Sequence, residues 1–174
     1  KEKDIKFFKN ASAGDYLLSI HTMNALVLVD HKSLEVKWYL RKDFRRQHSP
    51  NITNNGMLVI FDNKGSDEKY GESRVLQYDL ENERFKSNFD GNNNFFFESD
   101  IRGRIQIFDD NIYVTSSQQG EVFKLNCENF NLNECVPELL FSSNFEGKSN
   151  SIFVADFYKE EFFNENFIKK IKKK

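Results

Sequence analysis

The sequence lacks a strong charge of either sign, long apolar runs and the short motifs of common cofactor sites. Its 174 residues carry a formal net charge of −2, which offers no electrostatic attraction for nucleic acid or an anionic membrane. No apolar run approaches the roughly 18–20 residues that span a bilayer. Phosphate-cradling glycine loops, serine-triad signatures and metal-binding helix motifs are absent as well. We therefore expect no nucleic-acid partner, no membrane span, no cofactor and no bound metal.

Cysteine is equally scarce, with two residues in the whole chain. Cys127 and Cys135 flank a loop of seven residues. They could form a disulfide that closes this short loop, which would suit an extracytoplasmic protein. Two free thiols are an equal alternative, and this spacing without further ligands does not indicate a zinc site.

What the sequence does contain is a pattern that occurs three times. A Gly/Asn/Asp turn runs into a strand at residues 14–19, 55–60 and 110–115. Each copy is followed by a second strand, and these strands end, 49 and 47 residues apart, at Asp30, Asp79 and Asn126. Strands rich in Val, Leu, Ile, Phe and Tyr between such turns indicate antiparallel β structure. A unit of about 40–50 residues with four short strands has the length of a propeller blade.

We therefore predict an all-β fold, a partial β-propeller of about three to three and a half four-stranded antiparallel blades. The incomplete propeller domain covers residues 1–158, and a solvated basic tail covers residues 159–174. The blades are expected at about 1–42, 43–92, 93–143 and, in part, 144–158. Because closed propellers use about four to eight blades, we expect the chain to be part of a larger protein, with self-association as the alternative.

The clearest copy of the pattern, residues 45–79, resembles one blade of the arylsulfotransferase-like β-propeller family. The resemblance rests on residues 45–50, which read RRQHSP, and on the strands at 54–63 and 73–79. The following blade fits at 101–106 and 120–125, and residues 24–30 are similar to the preceding blade. The resemblance implies the C-terminal part of a six-bladed propeller. Its missing N-terminal blades, from the same protein, would be a partner, and the compartment would be extracytoplasmic.

Characterised members of that family move a sulfuryl group from an aryl sulfate to a phenolic acceptor through a histidine in the central funnel. They use no nucleotide sulfate donor. His48 precedes the strand that would line the channel here, and a neutral imidazole is a competent nucleophile. The transferred group is anionic, so guanidinium groups should stabilise it. The predicted substrate-binding residues are Arg46 and Arg74 in the same blade and Arg102 and Arg104 in the next.

Structural roles are the alternative for each of these residues. Polar side chains before propeller strands often tie neighbouring blades together, and His48 could do only that. We expect His21 to be a packed residue in the middle of a strand, and His31 to be exposed at a hairpin turn. The alternative to a sulfuryl-transfer enzyme is a non-catalytic β-propeller that serves as a binding or scaffold domain.

Overall fold

The computed structural model describes residue 8 and residues 10–63, 73–91, 95–108, 111–144, 146–147 and 150–158. Within these residues the chain forms β-strands and three short 3₁₀ helices, and no α-helix. The strands are β1 (Tyr16–Ile20), β2 (Ala25–Val29), β3 (Val36–Leu40), β4 (His48–Ile52), β5 (Met57–Asp62), β6 (Arg74–Asp79), β7 (Arg84–Phe89), β8 (Arg104–Phe108), β9 (Asn111–Ser116), β10 (Glu121–Asn126) and β11 (Val136–Ser142). In the part that the structure describes, no helix has the length and apolar character needed to cross a membrane.

The strands form three antiparallel sheets in chain order. The first sheet contains β1, β2 and β3, the second runs from β4 to β7, and the third runs from β8 to β11. Every pairing joins strands that follow one another along the chain. The prediction of an all-β fold made of consecutive antiparallel sheets is confirmed, and the arrangement is consistent with the blades of a partial propeller. The basic tail at 159–174 lies outside the described residues.

The turns after β2 and β6 show why the second strand ends in an aspartate in two of the three copies of the pattern. Asp30 Oδ1 accepts hydrogen bonds of 2.8 Å from the backbone N–H groups of Lys32 and Ser33. Asp79 Oδ1 does the same, at 3.0 Å, for the residues two and three positions further on. Backbone hydrogen bonds, that from Ser33 first, lower the pKa of Asp30 to about 2. Both carboxylates thus cap a turn as Asx motifs do.

The middle strands of the second sheet, β5 and β6, are buried on both faces. Leu58 and Ile60 of β5 belong to the apolar core that this sheet shares with the first sheet. Val59 and Phe61, which alternate with them, belong to the core shared with the third sheet. Successive side chains of a strand point to opposite faces. This is why β5 is an uninterrupted apolar run rather than an alternating one.

Neighbouring sheets meet near their first strands. β4 contacts β8 of the third sheet and β1 of the first sheet. Ser49 Oγ and Asn51 Nδ2 donate to the backbone oxygen of Ile105 at 2.8 and 3.0 Å. Residues 150–158 continue this arrangement, because the side-chain amide of Gln106 bonds both the N–H and the carbonyl of Phe157 at 2.7 and 2.8 Å. The partial blade expected at residues 144–158 includes this segment, in which residues 150–158 form no strand.

A loop closed by a disulfide joins the second and third sheets through contacts with β7. Cys127 and Cys135 form a disulfide. Within the loop between them, the side chain of Leu132 is fully buried in the core between the two sheets. Its backbone N–H donates to Ser87 Oγ at 3.2 Å, and the neighbouring Asn133 accepts from the backbone of Asn88. The loop therefore fastens β10 and β11 to β7.

Candidate histidine site between the first and second sheets

The linker before β4 is fastened to both neighbouring sheets. The backbone N–H of Arg45 donates to Asp62 Oδ1 at 2.7 Å, and Asp62 is buried at the end of β5. On the other side, the buried amide of Gln47 donates to Ser19 Oγ at 3.1 Å and to the carbonyl of Ala25 at 2.8 Å. These bonds hold the residue that follows Gln47 at the seam between the first and second sheets.

That residue is His48, and it opens β4 rather than preceding it. It pairs with Phe61, but the next pairing joins Asn51 to Val59, so β4 carries a bulge directly after the histidine. Ser49 within the bulge has a φ of 50°, which is left-handed and unusual for a residue before proline. Bulges bend a strand and redirect its side chains, and they are common next to active sites.

The ring of His48 lies beside that of His21. The ring centroids are 5.8 Å apart, with an angle of 49° between the ring planes. Burial lowers the pKa of the half-buried His48, and the charge of His21 lowers it further. A lowered pKa favours the neutral imidazole, which is the form that can act as a nucleophile.

The interpretation of His21 as a packed mid-strand residue was wrong. β1 ends at Ile20, and His21 begins an exposed 3₁₀ turn that continues to Met23. The sequence pattern contained a signal for this position. Residues 14–19 match residues 55–60, so His21 corresponds to Asp62, the last residue of β5, which bonds the linker before β4. Sequence analysis missed the contact because it joins two different sheets.

Two of the predicted substrate-binding arginines belong to the second sheet and its linker. Arg46 is exposed, and its backbone N–H donates to Asn24 Oδ1 at 2.9 Å. Arg74 opens β6, and its guanidinium reaches the linker, where Nε donates to Asp62 Oδ2 at 2.9 Å and Nη2 donates to the carbonyl of Asp43. The guanidinium of Arg74 thus holds the linker that leads to His48.

The other two arginines contact residues 150–158. The guanidinium of Arg102 lies over the ring of Phe153, 4.7 Å from its centroid. Arg104 Nη2 lies 2.5 Å from Asp156 Oδ1. Within the described part of the chain, the ring of His48 lies against that of His21. The structure therefore brings together the two histidines and ties Arg74, Arg102 and Arg104 to groups of the chain itself.

A charged cluster in the first sheet surrounds His31, which was expected to be exposed. His31 is instead partly buried, with Nδ1 3.3 Å from Asp15 Oδ1. Lys37 Nζ lies 2.8 Å from Asp15 and 3.4 Å from Asp30. The hydrogen bond from Lys37 holds the pKa of Asp15 far below its usual range. Ligand atoms of Asp15, Asp30 and His31 lie within 4.8 Å of one another, but the ammonium of Lys37 already bonds both carboxylates.

These features define an all-β protein of consecutive antiparallel sheets with a pair of histidines at the seam between two of them. A family model described as arylsulfotransferase (ASST) matches residues 4–131. The chain belongs to the arylsulfotransferase family. No curated protein and no solved structure matches it.

Proposed function

We propose that this protein transfers a sulfuryl group from an aryl sulfate to a phenolic acceptor, with His48 as the nucleophile. The observation that carries the proposal is the imidazole pair at the seam between the first and second sheets. His48 is half-buried and has a lowered pKa, and the exposed ring of His21 stands beside it. Membership of the arylsulfotransferase family supports the choice of chemistry.

The reaction needs two displacements at sulfur. In the first, a ring nitrogen of neutral His48 forms a bond to sulfur while the bond from sulfur to the aryl oxygen breaks, and the electron pair leaves with the phenolate. In the second, the acceptor oxygen attacks sulfur, the sulfur–nitrogen bond breaks and the imidazole is restored. His21 accepts the proton of the acceptor phenol, as a general base within reach of the same space.

The sulfuryl oxygens carry negative charge in both steps, so cationic groups should assist. Arg46 is the proposed contact, since it is exposed and lies two residues before His48. Arg102 and Arg104 remain in the proposed anion-binding set, because Arg104 opens β8, which contacts β4, and Arg102 lies two residues before it. We propose that Arg74 acts indirectly, by holding the linker through Asp62.

We also propose that further blades of the same protein cover the outer face of the first sheet. Tyr16 and Leu18 alternate with the core-facing residues of β1, and Tyr39 pairs with Val27 on the same face. They are 51%, 45% and 71% exposed. Where the described sheets meet, apolar faces of this kind are buried against each other. This supports another sheet as the element that covers the outer face of the first sheet.

The test is release of a chromogenic phenol from its sulfate ester by the full-length protein, in the presence and absence of an acceptor phenol. We expect His48→Ala to reduce the rate roughly 10³-fold or more, as loss of a nucleophile does. The matched control is His31→Ala, which removes a histidine of the first sheet at the Asp15 cluster and should leave the rate nearly unchanged. An active protein whose rate is the same in His48→Ala has a different nucleophile.

A non-catalytic binding or scaffold domain is the second candidate, and one observation favours it. Arg74, Arg102 and Arg104 contact Asp62, Phe153 and Asp156 of the chain itself. If these contacts persist in the full-length protein, fewer cations are left for a sulfate group. Wild-type full-length protein that releases no phenol from any aryl sulfate tested would favour this candidate.

A further inference from the structure

The bulge after His48 is held by a small set of bonds that reach the third sheet. Ser49 Oγ donates to the carbonyl of Ile105 at 2.8 Å. Asn51 Nδ2 donates to the same carbonyl at 3.0 Å and to the carbonyl of Ser49 at 2.9 Å. Two side chains of β4 therefore converge on one backbone oxygen of β8 and on the bulge itself.

The backbone at this point is in a conformation that it would not adopt unaided. Ser49 has a φ of 50° and precedes Pro50. Left-handed backbone is disfavoured for residues other than glycine, and proline pushes its predecessor towards extended conformations. Such residues persist where the surrounding structure over-determines them. Here the surrounding structure is the pair of bonds to Ile105, since the pairing of β4 with β5 is interrupted between His48 and Asn51.

We propose that Ser49 is a positioning residue for His48, acting together with Asn51 through the carbonyl of Ile105. The imidazole leaves the strand immediately before the bulge, so the bulge sets the direction in which the ring points. The ring is then placed by three sheets together. Gln47 anchors the linker before His48 to the first sheet. Pairing of His48 with Phe61 fixes the residue on the second sheet, and the hydroxyl of Ser49 ties the bulge to the third. The proposal rests on the proposed function for the nucleophilic role of His48.

The test removes the hydroxyl of Ser49 without disturbing the backbone. Glycine adopts a positive φ readily, so Ser49→Gly should fold while losing the bond to Ile105. Loss of one hydrogen bond should raise the population of the state in which the His48 ring is exposed about fivefold. We therefore expect diethyl pyrocarbonate to modify His48 about fivefold faster in this variant. The reaction is run at about pH 8, where the imidazole is neutral in either state. His31 serves as the internal reference.

A second readout follows the imidazole directly. The Hε1 resonance of His48, assigned with His48→Asn, is titrated in both proteins, and the pKa should move upward towards its ordinary value as the ring loses burial. Ser33→Gly in the exposed turn between β2 and β3 is the matched control and should change neither readout. Ser49→Asn should restore both, because asparagine tolerates the left-handed region and its amide can donate to the same carbonyl.

Folded Ser49→Gly protein in which His48 reacts and titrates as in the wild type would overturn the proposal. If that variant does not fold, Asn51→Ser takes its place, with the same expected result and the same refutation. Neither readout needs catalysis. A protein that shows the response of His48 but no sulfuryl transfer contradicts the proposed function alone, and an active protein without the response contradicts only the role of Ser49.

Discussion

Replacing Leu132 by alanine should loosen the contact between the second and third sheets. The side chain is fully buried in the core that these sheets share, although it belongs to a surface loop closed by the disulfide. Truncating a buried leucine to alanine costs about 3 kcal/mol, because transfer free energy is lost and a cavity remains. For a chain of this size such a loss lowers the melting temperature by about 6–12 °C.

The measurement is thermal or urea unfolding followed by circular dichroism, with Leu34→Ala as the matched control. Leu34 lies in a turn of the first sheet and is 69% exposed, so its truncation should change the free energy of unfolding by less than about 0.5 kcal/mol. Reduction of the disulfide should lower stability as well, by about 2.5 kcal/mol for a loop of this length. Equal stability of Leu132→Ala and Leu34→Ala would refute the loop as a fastening between the sheets.

Three further predictions concern the histidine pair and one glycine. Replacing His21 by asparagine should raise the pKa of His48. The pKa should stay below its ordinary value, because burial is the larger cause of the shift. An NMR titration in which the pKa of His48 falls or stays fixed would contradict the electrostatic contact. Because the folded pKa of His48 lies below the unfolded one, the free energy of unfolding should fall as the pH drops below about 6.5, and the dependence should weaken in His48→Ala. Gly103→Ala should destabilise the protein by about 1–3 kcal/mol more than Gly147→Ala. Both glycines have positive φ, but an added Cβ would overlap the ring of Phe61 at Gly103 and would meet nothing within 4 Å at Gly147. Equal unfolding midpoints of the two variants would argue against the close approach of Gly103 to Phe61.

The strands were predictable because their signals are local. The turn at Asn55 and Gly56 followed by an apolar run marked β5, and the aspartate that closes β6 marked the next turn. Apolar side chains, turn residues and their spacing act within one hairpin. They identify sheets and their order without reference to how the sheets pack.

The site was less predictable because its contacts join different sheets. The approach of His21 to His48 depends on how the first sheet docks on the second. The partners of Arg102 and Arg104 lie in residues 150–158, about fifty positions further along the chain. Nothing in a serine followed by proline signals the left-handed backbone of Ser49, since the stabilising partner is a carbonyl of another sheet. Residue type suggested which side chains carry chemistry, but not which neighbours they would have.

The burial of β5 on both faces bears on how the chain unfolds. Leu58 and Ile60 need the first sheet in place, while Val59 and Phe61 need the third. Proteolytic loss of either outer sheet would expose half of an apolar strand to water. We therefore expect the three sheets to melt in a single cooperative transition, with no stable species in which the middle one survives alone.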